Sequence, residues 1–141
     1  MESVIAFDIG DKRIGVAFAE KPLMIPLPVE TYNRQGTKKD VVYLAELAKK
    51  RNADKIVCGI PLHFSGEEGL QSEKTRRFVD ALKAVTTLPI VLVDERFTTM
   101  EAHRVLIEAD MRRQDRKGVV DKVAASYILE NYLTGMKGEL Q

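Results

Sequence analysis

Val4-Ile5-Ala6-Phe7-Asp8-Ile9-Gly10-Asp11-Lys12-Arg13-Ile14-Gly15-Val16-Ala17-Phe18-Ala19 is the stretch on which the reading of the chain turns. An apolar run of strand length leads into a short polar link with a glycine, and then into a second β-branched and apolar run. The pattern predicts a β-hairpin whose first strand is buried on both faces. Asp8 interrupts that strand. An ionised carboxylate there is costly unless a cation or hydrogen-bond donors meet it, so Asp8 calls for partners from elsewhere in the chain.

A third extended piece at 24–32 is punctuated by Pro26 and Pro28 and preceded by Pro22. Proline cannot donate to an interior ladder, which predicts an edge strand. Val41, Leu44, Ala45 and Ala48 recur at helical spacing over 40–51. A short apolar strand, Lys55–Ile60, is followed by the polar loop His63-Phe64-Ser65-Gly66-Glu67-Glu68-Gly69. Thr75, Phe78, Val79 and Leu82 predict the inward face of a helix over 71–85, and Ile90–Asp94 reads as another strand buried on both faces. Thr98-Thr99-Met100-Glu101 has the form of a capping box opening a helix to residue 109. A charged link at 110–118 then precedes a last helix over 119–133, closed by Gly135.

The order β-β-β-α-β-α-β-α-α is that of an α/β protein. It predicts a mixed five-stranded sheet, strand two antiparallel, with helices on both faces. The 141 residues form one domain, 1–141, large enough for a real core. No run approaches the ~18 apolar residues of a membrane span, and the acidic second residue argues against a secretory signal. Cys58 is the only cysteine, which excludes an internal disulfide or a cysteine metal knuckle and points to a reducing cytoplasm. A net charge of +1 excludes a globally basic coat protein. The basic residues are nevertheless clustered, at Lys12-Arg13, Lys49-Lys50-Arg51, Arg76-Arg77 and Arg112-Arg113-Gln114-Asp115-Arg116-Lys117. The last cluster is expected to close over a substrate as a flexible flap.

Parallel strands of an open α/β sheet present their carboxyl ends along one edge, where ligands bind. Asp8 ends strand one and Asp94-Glu95 ends strand five. Alternation puts Asp94 and Glu95 on opposite faces, and Glu95 has the longer reach toward Asp8. In the last helix Asp121, Ala124, Ala125, Ile128 and Tyr132 share one face. Asp121 is expected in the first turn of that helix, and the two alanines let its backbone approach the sheet. Three carboxylates gathered at one edge would repel one another unless a cation joins them. Oxygen-only ligands suit Mg²⁺ or Mn²⁺; His63, His103 and Cys58 are not read as ligands.

Four stretches carry a resemblance to a known family. They are Phe7-Asp8-Ile9-Gly10-Asp11-Lys12-Arg13-Ile14-Gly15-Val16-Ala17, Gly59-Ile60-Pro61-Leu62 with Gly66, Asp94-Glu95-Arg96-Phe97-Thr98-Thr99, and Val120-Asp121-Lys122-Val123-Ala124-Ala125. Nearly end to end and in order, they resemble the motifs of the bacterial pre-16S rRNA nucleases, also called Holliday junction resolvases, of the RNase H-like superfamily. The resemblance implies an RNase H-like fold and a cytoplasmic, Mg²⁺- or Mn²⁺-dependent endonuclease that hydrolyses phosphodiester bonds and matures the 5′ end of 16S rRNA. It puts the catalytic and metal-binding carboxylates on Asp8, Glu95 and Asp121, and the phosphate-side cations on Lys12, Arg13 and Arg96. Many superfamily members carry a second carboxylate at the end of strand four. Gly59-Ile60-Pro61 stands there in this chain, so the role passes to Glu95.

Other readings stay open at this stage. Within the nuclease class the substrate could equally be branched DNA. Asp8-Ile9-Gly10 with Gly15 also resembles the first phosphate turn of actin-like ATPases, which need two such lobes. A non-catalytic RNA- or ribosome-associated factor is a third class. The expected partner is nucleic acid, with no membrane, and the expected state is a monomer or weak homodimer.

Overall fold

The computed structural model describes residues 2–61, 69–94, 113–135 and 139–140, with the backbone alone for 113–119 and 139–140. The hairpin forms as its sequence predicts. Strand β1 (Val4–Ile9) pairs antiparallel with β2 (Arg13–Ala19), and β2 with the edge strand β3 (Leu27–Asn33). Helix α1 (Thr37–Lys50) leads to β4 (Lys55–Ile60), parallel to β1. Helix α2 (Leu70–Lys83) leads to β5 (Ile90–Asp94), parallel to β4. Helix α3 (Arg113–Gly135) completes the layers, and a two-residue strand β6 (Glu139–Leu140) pairs antiparallel with β5. The sheet runs β3-β2-β1-β4-β5-β6, the expected five strands with β6 added at one edge.

Alternation along the central strands sorts the core into two layers. Ile5, Phe7 and Ile9 of β1, Ile14 and Val16 of β2 and Ile56 and Cys58 of β4 pack against Val41, Leu44, Phe78 and Leu82 of α1 and α2. Val4 and Ala6, Ala17 and Ala19, Val57 and Val93 face Ala124, Ala125, Ile128, Leu129 and Tyr132 of α3. Each large apolar side chain fully buried this way contributes about 1.5–3 kcal/mol. The α3 face of the sheet is built from small residues, so α3 lies close upon it.

Three local expectations are corrected. Helix α3 begins at Arg113, so residues 113–117 are helical backbone rather than a flap. The missing apolar period was misleading, because arginine, glutamine and lysine are good helix formers whether or not a helix has a buried face. Asp121 consequently lies well inside α3 instead of in its first turn. Strand β5 is only partly buried at Ile90, Val91 and Leu92 rather than buried on both faces throughout. The expected helix at 98–109, the loop at 63–68, and Glu95 and Arg96 lie outside the described residues.

Asp40, fully buried near the start of α1, ties the hairpin to the helical layer. Its carboxylate accepts hydrogen bonds from Tyr32 Oη at 2.8 Å, Arg34 Nε at 2.8 Å and the Gln35 N–H at 2.8 Å. Burial alone would raise its pKa. The bonds from Gln35, Arg34 and Tyr32, with the charge of Arg34, outweigh burial and hold the carboxyl below its ordinary 3.8. A depressed folded value means that this stabilisation is complete above the ordinary value and is lost as pH falls through the folded one. Asp40→Asn should therefore cost about 3 kcal/mol near neutral pH. Urea unfolding of the two proteins should converge as the pH drops below the ordinary carboxylate range.

Candidate active site

The carboxyl ends of β1 and β4 and the beginning of β2 meet at one edge of the sheet. Asp8 sits opposite Gly15 in the β1–β2 ladder, and directly paired residues of an antiparallel ladder share a face. Gly15 faces α3. A Cβ built on Gly15 would collide with the Asp121 carbonyl oxygen and lie 3.0 Å from the Lys122 nitrogen. The absent side chain is thus the seat on which α3 rests, and it brings Asp121 over the strand beside Asp8.

At its other end α3 is anchored by Tyr132, whose hydroxyl accepts from Lys55 Nζ at 2.9 Å at the start of β4. Helix α3 therefore runs opposite to β1 and β4, with Asp121 toward their carboxyl edge and Tyr132 toward their amino edge. Arg13 is two residues before Gly15 and shares its face. Arg13 Nε donates to Asp121 Oδ2 at 2.7 Å, with the two side chains 30% and 21% exposed. Asp8, Arg13 and Asp121 thus lie around one seat, contributed by β1, β2 and α3.

Lys12 is exposed at the tip of the hairpin, and its carbonyl accepts the Arg34 N–H at 2.9 Å. Asp94 is buried, and its place in the alternation of β5 puts it with Ile90 and Leu92 on the α1/α2 face, away from Asp8. Cys58 is on that same face, and burial pushes its thiol up to about 12. A thiol so protonated is neither nucleophile nor ligand at neutral pH. Among the described residues, no group of three histidine, cysteine, aspartate or glutamate side chains gathers to hold a metal. Asp8 and Asp121, brought to this edge by β1 and α3, carry hard oxygen donors of the kind Mg²⁺ and Mn²⁺ take.

Two features here were not singled out from the sequence as structural determinants. Gly15 is a seat for α3, for which a glycine inside a β-branched strand was the available signal. Arg34 is held at the same edge by Asp40, and nothing in the local pattern around Arg34 announces that.

The family model described as RuvX, Holliday junction resolvase, matches residues 2–135. The chain belongs to the RuvX family. A Clostridium acetobutylicum relative named "Putative pre-16S rRNA nuclease" is 41% identical over 133 residues, covering 94% of this chain and 98% of the relative. A Thermoanaerobacter pseudethanolicus relative of the same name is 42% identical over 137 residues, covering 96% and 99%. The structure of Thermus thermophilus RuvC in complex with Holliday junction substrate superposes with a TM-score of 0.62 at 10% identity, over 99% of each chain. At that identity the likeness concerns the fold, which is RNase H-like. This RuvX-family chain therefore has the architecture its hairpin foretold, and its relatives carry the names of nucleases acting on nucleic acid.

Proposed function

We propose that the chain is a cytoplasmic, Mg²⁺- or Mn²⁺-dependent endonuclease that hydrolyses phosphodiester bonds at the 5′ end of precursor 16S rRNA, in ribosome biogenesis. The observation that carries this is the placement of Asp8 and Asp121 around Gly15 at the carboxyl edge of β1. The names of the relatives support the nuclease class and the RNA substrate. A second reading, cleavage of branched DNA, is favoured by the family's description.

Asp8 and Asp121 would hold the cation, with Glu95 the third ligand. When bound, such a cation supplies Lewis acidity toward the phosphate and favours ionisation of the attacking water. The β1–β2 ladder fixes Asp8, and the close seat of α3 fixes Asp121. Lys12 and Arg96 serve as phosphate contacts, which position a strand without reading its sequence. Arg13 balances the charge of Asp121 and moves to a backbone phosphate when substrate arrives. The expected products are a 5′ phosphate and a 3′ hydroxyl, released by a monomer or weak homodimer.

Arg13→Gln is expected to change stability by no more than about 1 kcal/mol, since the pair is partly exposed. It should tighten Mn²⁺ binding several-fold in the absence of nucleic acid, because Asp121 is no longer shared, and raise KM for the substrate. Calorimetric Mn²⁺ titration beside steady-state cleavage separates the two effects.

The test of the function is a cleavage panel of precursor 16S rRNA and a four-way DNA junction, each with Mg²⁺, with Mn²⁺ and with EDTA. Metal-dependent cuts in the precursor support the reading, and cuts in the junction alone favour the second. Binding of either without cleavage in any metal would show a non-catalytic RNA-associated factor instead.

A further inference from the structure

On the opposite face of the sheet from Asp121, one residue beyond the end of β1, a cavity of about 250 Å³ opens between the β1–β2 turn and the starts of α1 and α2. Among the described residues its walls include Arg34, Thr37, Gln71, Lys74 and Arg77, with Asp11 the one acidic residue. We propose that this cavity binds a backbone phosphate of the nucleic acid, next to but separate from the carboxylates. The proposal rests on the nuclease reading above and adds a second contact point for the same strand.

Arg34 is the fixed element. Its side chain is 19% exposed. Nε donates to the buried Asp40, Nη1 to the Gly10 carbonyl at 3.1 Å and Nη2 to Thr37 Oγ1 at 3.0 Å. Its carbon lies 5.0 Å from the centre of the Phe78 ring. A guanidinium carries five N–H donors, so these bonds leave donors over while holding the group still. Asp40 neutralises Arg34, and Lys74 Nζ is a loose 3.5 Å from Asp11, both side chains being about half exposed. Exposed pairs of that kind are worth little and are easily exchanged. Arg77 then leaves the described part of the lining with a net positive charge.

Both helices that open into the cavity begin at a glycine, Gly36 and Gly69, and neither has a side-chain cap. The helix dipoles add to the positive potential of Lys74, Arg77 and Arg34, and the first-turn carboxylates of Asp40 and Glu73 offset part of it. Ser72 Oγ donates to the Pro61 carbonyl, fixing the first turn of α2 to the end of β4. Size decides the class of ligand. The cavity is below the ~300 Å³ that encloses a drug-sized molecule, which suits one phosphate with its waters and not a whole nucleotide cofactor. A strand lying across the carboxyl edge at Asp8 continues over the β1–β2 turn into this opening.

The test uses the full chain in EDTA, with a short fluorescent single-stranded RNA read by anisotropy over a range of salt. Lys74→Gln/Arg77→Gln removes two exposed cations from the cavity, and Lys49→Gln/Lys50→Gln removes the same charge from the far end of α1. The cavity variant is expected to bind about tenfold more weakly, with the salt slope reduced by about one, and the control variant to stay within about twofold of the wild type. Equal losses in both variants, or none in either, would overturn the proposal while leaving the nuclease reading intact. A wild-type protein that binds no RNA in EDTA would overturn the proposal, while the nuclease reading is decided by the metal-dependent cleavage panel. Inorganic phosphate is titrated in parallel by ³¹P resonance. If it saturates the cavity in the wild type but not in the cavity variant, and RNA affinity is the same in the two, the ligand is free phosphate and the backbone assignment fails.

Discussion

Purified Asp8→Asn protein is expected to remain folded and to lose about 1,000-fold or more of the metal-dependent cleavage rate. The magnitude follows from the several kcal/mol that a divalent ion contributes to phosphoryl transfer, at 1.36 kcal/mol for each factor of ten. Asp8 ends a strand whose other residues are buried apolar groups, and it shares an edge with the carboxylate of Asp121. Asparagine keeps the shape and removes the charge that a divalent ion needs. A variant that cut at the wild-type rate would remove Asp8 from the site. One that failed to fold would show that the carboxylate is structural.

The second large effect belongs to a residue with no functional group. Gly15→Ala should lower stability by about 3 kcal/mol, or roughly 10 °C in Tm, which is the upper range for overpacking. The added methyl meets the backbone of α3 at Asp121 and Lys122 instead of a side chain that could rotate away. Helix α3 is held at its far end by Tyr132 and Lys55, so it must tilt from the Gly15 end. That displaces Asp121 from Asp8. Cleavage should therefore fall well beyond what the unfolded fraction explains, even at a temperature where the variant is folded. Thermal unfolding beside cleavage at low temperature separates the two losses, and a Tm within a degree of the wild type would contradict the seat.

The hairpin, the edge strand with its prolines, β4 and the buried stripes of α1 and α2 were legible because each is written in a local period or in proline placement. The face shared by Asp121, Ala124, Ala125, Ile128 and Tyr132 was legible for the same reason, and the structure packs its alanines, Ile128 and Tyr132 against the sheet. The start of α3 was not. Its first turns carry charge without an apolar stripe, and periodicity cannot distinguish such a helix from a link. Pairings across the chain were also beyond reach. Arg13 meets Asp121 across 108 positions, and any of several arginines had the same local signature. The carboxylate of Asp40 organises Tyr32, Arg34 and Gln35, and nothing in the local pattern around Asp40 announces that. Charge patterns show which groups are available, and only the fold shows which of them meet.

Asp8 and Asp121 are proposed to bind one divalent ion between them. Calorimetric titration of Mn²⁺ into the wild type, Asp8→Asn and Asp121→Asn, with a non-cleavable phosphorothioate strand present, addresses that claim most directly. Outer-sphere partners alone are worth about 10–100-fold in metal affinity, so each substitution should weaken Mn²⁺ binding by at least that much. Unchanged Mn²⁺ affinity in either variant, or no binding by the wild type, would contradict it.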